Sequence, residues 1–287
     1  MNVNVREFKL INEKGQEYSL MDIENYCLLT EPSGLGYSYA TDYEQLGTTF
    51  ITNLRRIEQG QVQGQVNFLK YDNYRNLIDF IEHSEKLRLS YILPFENGKK
   101  EYFKDIQIQN ITKTEIQQNG ILSESITFDA LSLWYSENYF GYDMSRQAGE
   151  LRWDFGWDAR FGDYSQRSVD FINDGHTPAP IEVSVDGEVV DPKITLKVEG
   201  EVYQEVPITV SIAEHEKLLY GSKENDFYIY KQETDGDLVS LFNLDNISFE
   251  NDNVIRLPEK KDCSIILTGT GGIQNAELKI YVYYKAI

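Results

Sequence analysis

Three histidines, two cysteines and 47 carboxylates against 27 lysines and arginines are the side chains with which this sequence could do chemistry. His83, His176 and His215 stand apart, none with a second histidine at zinc-ligand spacing, so each reads as a solvent-exposed structural residue. Cys27 and Cys263 have no nearby Cys or His, which argues against a metal knuckle or a disulfide framework and leaves two idle or buried thiols. No Gly-x-Ser-x-Gly, P-loop or dinucleotide fingerprint is present, and Gly269-Thr-Gly-Gly reads as a hairpin turn. Asp235-Gly-Asp237 and Glu250-Asn-Asp252-Asn carry oxygen ligands, but the twelve-residue calcium loop with its closing bidentate Glu is missing. Any two of the many acids could be named a glycosidase pair; that chemistry needs a carboxylate separation a sequence does not supply. The reading is therefore no catalytic residue, no metal ligand and no cofactor.

One stretch has the composition of a binding surface: Leu151-Arg-Trp153-Asp-Phe155-Gly-Trp157-Asp-Ala-Arg-Phe161-Gly-Asp-Tyr164. Exposed Trp153 and Trp157 could stack on sugar rings while neighbouring acids accept hydroxyl hydrogen bonds. The plainer reading is a linker strand whose Trp153, Phe155 and Trp157 alternate inward and bury large aromatic area.

The elements that must position these residues are almost all strands. Phe8-Lys-Leu-Ile-Asn and Glu17-Tyr-Ser-Leu flank Gly15 as a hairpin, and residues 48–57 and 61–69 form a second pair of runs around Gln59-Gly60. Val62, Gly64, Val66 and Phe68 share one face and Gln61, Gln63, Gln65 and Asn67 the other, the period of a half-buried strand. Leu87, Leu89, Tyr91 and Leu93 repeat it, and two strands at 102–117 and 121–133 meet at Asn119-Gly120. A single helix is predicted over 71–86, with Tyr74, Leu77, Ile78 and Ile81 on one face, Asp72 capping its start and Lys86 near its end. The second half reads as strands at 165–173, 180–186, 193–202, 206–212, 226–232, 237–242, 263–269 and 277–285, with Val189-Val-Asp-Pro192 ending a run. Short strands at even spacing without a helix predict a β-sandwich.

The aromatic, unpatterned segment after residue 134 marks a boundary. The expected organisation is an N-terminal domain at 1–140, an aromatic linker at 141–164 and a C-terminal domain at 165–287. The net charge of −20 opposes nucleic acid, whose affinity is carried by cations, and opposes anionic membranes. The first residues have no apolar signal core and no stretch reaches 18 apolar residues, so the expected site of synthesis is a cytoplasm.

The order of landmarks resembles a known family. Phe8-x-Leu-x-Asn-x-x-Gly15 leads to Glu31-Pro-Ser-Gly-Leu-Gly36, the Gln-rich Gly60–Phe68 strand, the Tyr71–Ile81 helix, Leu87-x-Leu-x-Tyr91 and Leu122-x-x-x-Ile-x-Phe128-x-x-Leu131-x-Leu-Trp134-Tyr135. Gly187-x-x-x-x-Pro192 and Asn251-Asp-Asn-Val-Ile-Arg-Leu-Pro258 continue the series. This resembles the distal tail proteins of long-tailed, non-contractile phages infecting Gram-positive bacteria. The resemblance implies a mainly β fold: an N-terminal β-sandwich with one α-helix, and a C-terminal galectin-like β-sandwich. It implies a homohexameric ring at the virion tail tip, made in the bacterial host cytoplasm, with DNA passing through its centre. The implied partners are the major tail or tube protein, the tail-associated lysin or tip protein, and receptor-binding or baseplate proteins, with no membrane and no specific nucleic-acid binding. Segments 33–50 and 60–69 are the expected ring contacts. The second half lacks the His-x-Asn-x-Arg strand and downstream Trp of working galectins, since His176 precedes Thr-Pro and His215 precedes Glu-Lys. The alternative reading is a monomeric carbohydrate-binding β-sandwich protein.

Overall fold

Alternating apolar residues become strands wherever both polar backbone groups find a neighbour. The computed structural model describes residues 6–23, 27–95, 98–143, 166–249, 252–271, 273 and 275–287, in two compact units: Met1–Ser136 with Tyr284–Ile287, and Glu137–Tyr283.

The first unit contains β1 (Glu7–Asn12), β2 (Glu17–Ser19), β3 (Met21–Asp22), β4 (Cys27–Ser33), β5 (Tyr39–Leu46), β6 (Thr49–Ile57), β7 (Gln61–Phe68), α1 (Tyr71–Glu82), β8 (Leu87–Phe95), β9 (Gly98–Ile111), β10 (Leu122–Ala130) and the start of β11 (Trp134–Asp143). Pairing runs β2-β1-β8-β9-β10-β7-β4-β3, all antiparallel. β2 and β3 are consecutive pieces of one segment. Between them the Leu20 amide donates to the Phe8 carbonyl and the Leu20 carbonyl accepts from Leu29, so the curled sheet closes on itself. Its inward side chains, among them Phe8, Leu20, Val66, Phe68, Leu89, Phe128 and Trp134, are buried. The hairpin at Asn12 forms because its carboxamide accepts the amides of Lys14 and Gln16, with Gly15 at φ 74°.

Three local expectations change. The helix stops at Glu82 rather than 86, because the Glu13 carboxylate takes the amides of Glu85 and Lys86 and draws that segment out of the helix. Asp72 lies in the first turn but does not cap: Lys70 occupies the N-cap with no side-chain bond. The ladder between β9 and β10 ends at Ile111, earlier than 117, because the buried Glu124 carboxylate accepts the Thr114 amide at 2.6 Å and the Thr112 and Thr114 hydroxyls at 2.8 and 3.0 Å.

The second unit contains β12 (Gln166–Ile172), β13 (Ala179–Asp186), β14 (Val189–Val198), β15 (Glu201–Pro207), β16 (Ser211–Ile212), β17 (Lys217–Lys223), β18 (Asp226–Gln232), β19 (Leu238–Ser240), β20 (Arg256–Leu257), β21 (Asp262–Thr270) and β22 (Asn275–Tyr284). One sheet has the order β19-β18-β17-β13-β22 with β20 on β13, and the other β12-β21-β14-β15 with β16 on β14. Val183, Leu218, Tyr220 and Ile280 from the first and Ile194, Leu196 and Ile265 from the second are buried, as a sandwich core requires. Pro192 does not end a strand: β14 runs through it. The register shifts between Val190 and Lys193, so the proline sits at a bulge where no ladder amide is missed. Gly269 is likewise inside β21, where an added Cβ would come 2.2 Å from Val189; the turn glycine is Gly271, at φ 96°.

Candidate assembly surface

The residues that could have done chemistry are not brought together. His83, His176 and His215 are exposed at separate turns, and no group of three or more metal-binding side chains occurs among the described residues. Asp235 turns its own hairpin, accepting the Asp237 amide at 3.2 Å. Cys27 and Cys263 are free and buried, and burial pushes their thiols up to about 12 and about 11, so both stay protonated and unreactive. Trp153 and Trp157, the candidate sugar platform, lie outside the described residues, as does most of the 141–164 linker.

What the first unit offers instead is an arm. β5 and β6 pair only with each other among the described residues, from Tyr39↔Ile57 to Leu46↔Thr49, turning at Gly47 with φ 66°. The expected pairing of 48–57 with 61–69 is thus replaced: β6 belongs to β5, and β7 lies between β4 and β10. Tyr43 (60% exposed), Leu46, Phe50 (68% exposed), Ile51 and Leu54 all stand in solvent. The cross-strand register, shifted between Asp42 and Tyr43, places Tyr43 and Phe50 on one face and Leu46, Ile51 and Leu54 on the other. The arm is therefore apolar on both sides, and a two-stranded ribbon is marginal alone.

Its root is rigid. Gly34 has φ 74°, and a Cβ there would fall 1.7 Å from the Gln61 carbonyl oxygen, so only glycine lets the chain cross β7. Trp134 Nε1 donates to the Leu35 carbonyl at 2.9 Å, Glu58 N to Ser38 O at 3.0 Å, and Gln59 Nε2 to Ala130 O at 3.1 Å. An open cleft of about 460 Å³ lies there, lined by Gly36, Tyr37, Ser38, Gly60, Gln61 and Asp129. Arg55 places its guanidinium 3.8 Å from the Tyr39 ring centre, which holds the arm's inner half in shape. Segment 33–50 is thus exposed as a contact would have to be. Segment 60–69 has no free backbone edge, because β7 is paired on both sides.

Residues 7–131, which contain the arm and its root, match the family model described as the distal tail protein, N-terminal domain. The likeness to the distal tail proteins thus rests on this first unit, somewhat under half of the chain. Two curated members are similar over 146 residues: the distal tail protein of Lactococcus phage SK1 at 27% identity and that of Lactococcus phage p2 at 26%. In both cases 48% of each chain is covered, so the chain spans about half the length of the curated relatives it matches. A chain of the activated, calcium-bound phage P2 baseplate has the same fold at TM-score 0.64 and 17% identity, covering 99% of this chain and 100% of that one. The Dit protein of phage SPP1, described as a paradigm of hub adsorption apparatus, aligns at TM-score 0.57 and 11% identity over 96% and 98% of the two chains. The fold is mainly β, with the one helix of the described residues, α1, inside the segment that matches the family model.

Proposed function

We propose that this chain is a distal tail protein, a structural hub without enzyme activity. In this reading six copies close into a ring that joins the tail tube to the tail tip. The observation that carries it is the β5–β6 arm, with five large apolar side chains spread over both faces of a ribbon that has no cover of its own. Exposed apolar surface of this kind is an association site. Since the arm differs from the surface it would meet, the contact is head-to-tail, and such contacts close into rings when the rotation allows. Apolar residues on both faces suit an arm held between neighbouring copies.

The remaining features belong to the same proposal. The second sandwich is read as galectin-like and as the carrier of receptor-binding or baseplate proteins, with the tube protein and a tail-associated lysin or tip protein as the axial partners. The expected place is the virion tail tip. DNA would pass through the centre, where a chain of net charge −20 would not adsorb it.

Light scattering after size exclusion tests the ring. Six copies of 33.3 kDa give about 200 kDa. A Phe50→Glu/Leu54→Glu double variant, exposed and remote from the core, is expected to elute as a folded monomer. A wild-type chain that stays monomeric at every concentration would remove the proposal.

A further inference from the structure

We propose that residues 238–249 of the second unit are a docking surface for a basic segment, carrying apolar anchors, of a different protein. β19 and the turn after it expose Leu238, Val239, Phe242, Leu244 and Phe249, five large apolar side chains within one short stretch of chain. Exposed apolar residues gathered so closely mark an association surface. Attachment here rests on the reading of the second unit as a carrier of baseplate proteins and does not depend on the ring.

The surface is built before any partner arrives. Leu241 and Ile247 are buried and pin the turn from both sides. Asn243 holds its tip: the carbonyl accepts the Ile247 amide at 3.0 Å, and the carboxamide oxygen accepts those of Asp245 and Asn246 at 3.0 and 3.2 Å. Asn246 Nδ2 donates to the Thr209 carbonyl at 2.6 Å, and the Thr209 amide returns a bond to the Asn246 carbonyl at 2.7 Å. Leu244 thus stands 81% exposed on a turn fixed at both ends.

The aromatic anchors are fixed as well. From the buried Tyr220 edge-on ring contacts run outward, Tyr220–Phe227 at 6.1 Å, Phe227–Phe242 at 5.3 Å and Phe242–Phe249 at 5.0 Å between centres. Phe242 and Phe249 therefore lose little freedom when a partner covers them, which lowers the cost of binding.

β19 ends its sheet, bonded to β18 alone among the described residues, so an extended segment can lie along it.

Charge decides the partner. Residues 232–255 hold six carboxylates, Glu233, Asp235, Asp237, Asp245, Glu250 and Asp252, and no Lys or Arg. The cations that bound this stretch are already engaged, Lys231 with Glu216 at 2.8 Å and Arg256 with Glu224 at 3.0 Å. A second copy meeting the patch with its own would set acid against acid, and an anionic membrane or a nucleic acid would be repelled too. The complement is a segment with Lys or Arg spaced among Leu or Phe. Its cations would face the carboxylates while its apolar side chains cover Phe242, Leu244 and Phe249.

Fluorescence anisotropy on the full chain tests the surface with three labelled probes: Lys-Leu-Lys-Phe-Lys-Leu-Lys-Phe-Lys, the same peptide with Glu for Lys, and the same with Ser for Leu and Phe. The first is expected to bind, the Glu probe to stay free, and the Ser probe to bind at least about tenfold more weakly. Phe242→Ser/Leu244→Ser should weaken the first probe by about tenfold or more, with Leu244→Ser alone as the milder variant if the double one unfolds. Asp237→Asn/Asp245→Asn should weaken it about threefold at low salt, and the difference should vanish near about 0.3 M. No binding of the first probe, equal binding of the Ser probe, or unchanged affinity of the Phe242→Ser/Leu244→Ser chain would each overturn the surface. So would a fall in the mass of that double variant by light scattering, which would assign the patch to contact between copies. The ring fails separately: a Phe50→Glu/Leu54→Glu monomer that takes the first probe keeps this surface, and a ring of about 200 kDa that takes none removes it.

Discussion

Lys104 carries its ammonium into the core of the first unit. It is 4% exposed, and its Nζ lies 4.7 Å from the centre of the Trp134 ring. Burial lowers its pKa to about 8 from 10.5, so the folded state disfavours the charged form. The penalty is fully present below pH 8, where folded and unfolded chains are both protonated, and it fades between pH 8 and 10.5 as the folded chain loses its proton first. Its size is on the order of 3 kcal/mol. Lys104→Met should therefore raise the urea midpoint at pH 7, and the gain should shrink at pH 9.5; a lower midpoint at pH 7 would refute this account. Glu124 is the opposite case, a fully buried carboxylate whose bonds to Thr112 and Thr114 are all made. Glu124→Leu leaves those donors unpaired and should cost at least about 2 kcal/mol in denaturant titration. Neither role was legible in the sequence, where Lys104 and Glu124 are two charges among many, because burial and partner geometry are set by strands distant in the chain.

At the scale of elements, legibility followed periodicity. β7, β8 and β22 were readable because every second residue is apolar and meets the core. β5 was not: Tyr39-Ala-Thr-Asp-Tyr-Glu-Gln-Leu buries neither face, so no period of two marks it. β17 was missed because Gly221 interrupts its apolar run; that glycine is needed where the Tyr228 ring crosses, 2.4 Å from where a Cβ would sit. β14 was cut short at Pro192 because a proline reads as a strand end unless the bulge beside it is known. Of the two segments expected to make contacts, 33–50 contains the exposed β5, because its run of polar and apolar residues buries neither face, while 60–69 is an interior strand with no edge to give. Gly34 is the element's weak point. Gly34→Ala meets the Gln61 carbonyl and demands a positive φ, so it should displace the arm's root. The expected result is loss of the large species in size exclusion while the far-ultraviolet strand signal persists.

For the whole molecule, charge and apolar surface pull in opposite directions. Each copy carries −20, so copies repel one another, against the apolar contact proposed for their arms. Added salt screens the repulsion and leaves apolar contact intact. Raising the ionic strength from about 0.02 to 0.3 M should shift the association midpoint to lower protein concentration in sedimentation velocity, and weaker association in salt would argue against an apolar interface. The order of synthesis adds a constraint of its own. The first unit is discontinuous: Tyr284 packs its ring edge-on to Tyr102 at 5.4 Å and its hydroxyl takes a bond from Lys100 at 3.1 Å, yet it is translated roughly 150 residues after Ser136. At about 5–20 residues per second, the ribosome delivers that residue on the order of ten seconds or more after the rest of the unit has emerged. The second sandwich, up to β22 itself, is translated in that interval. A nascent chain thus holds an unfinished first unit throughout its elongation, and polysomes crowded with neighbouring copies carry arms whose supporting unit is not yet closed.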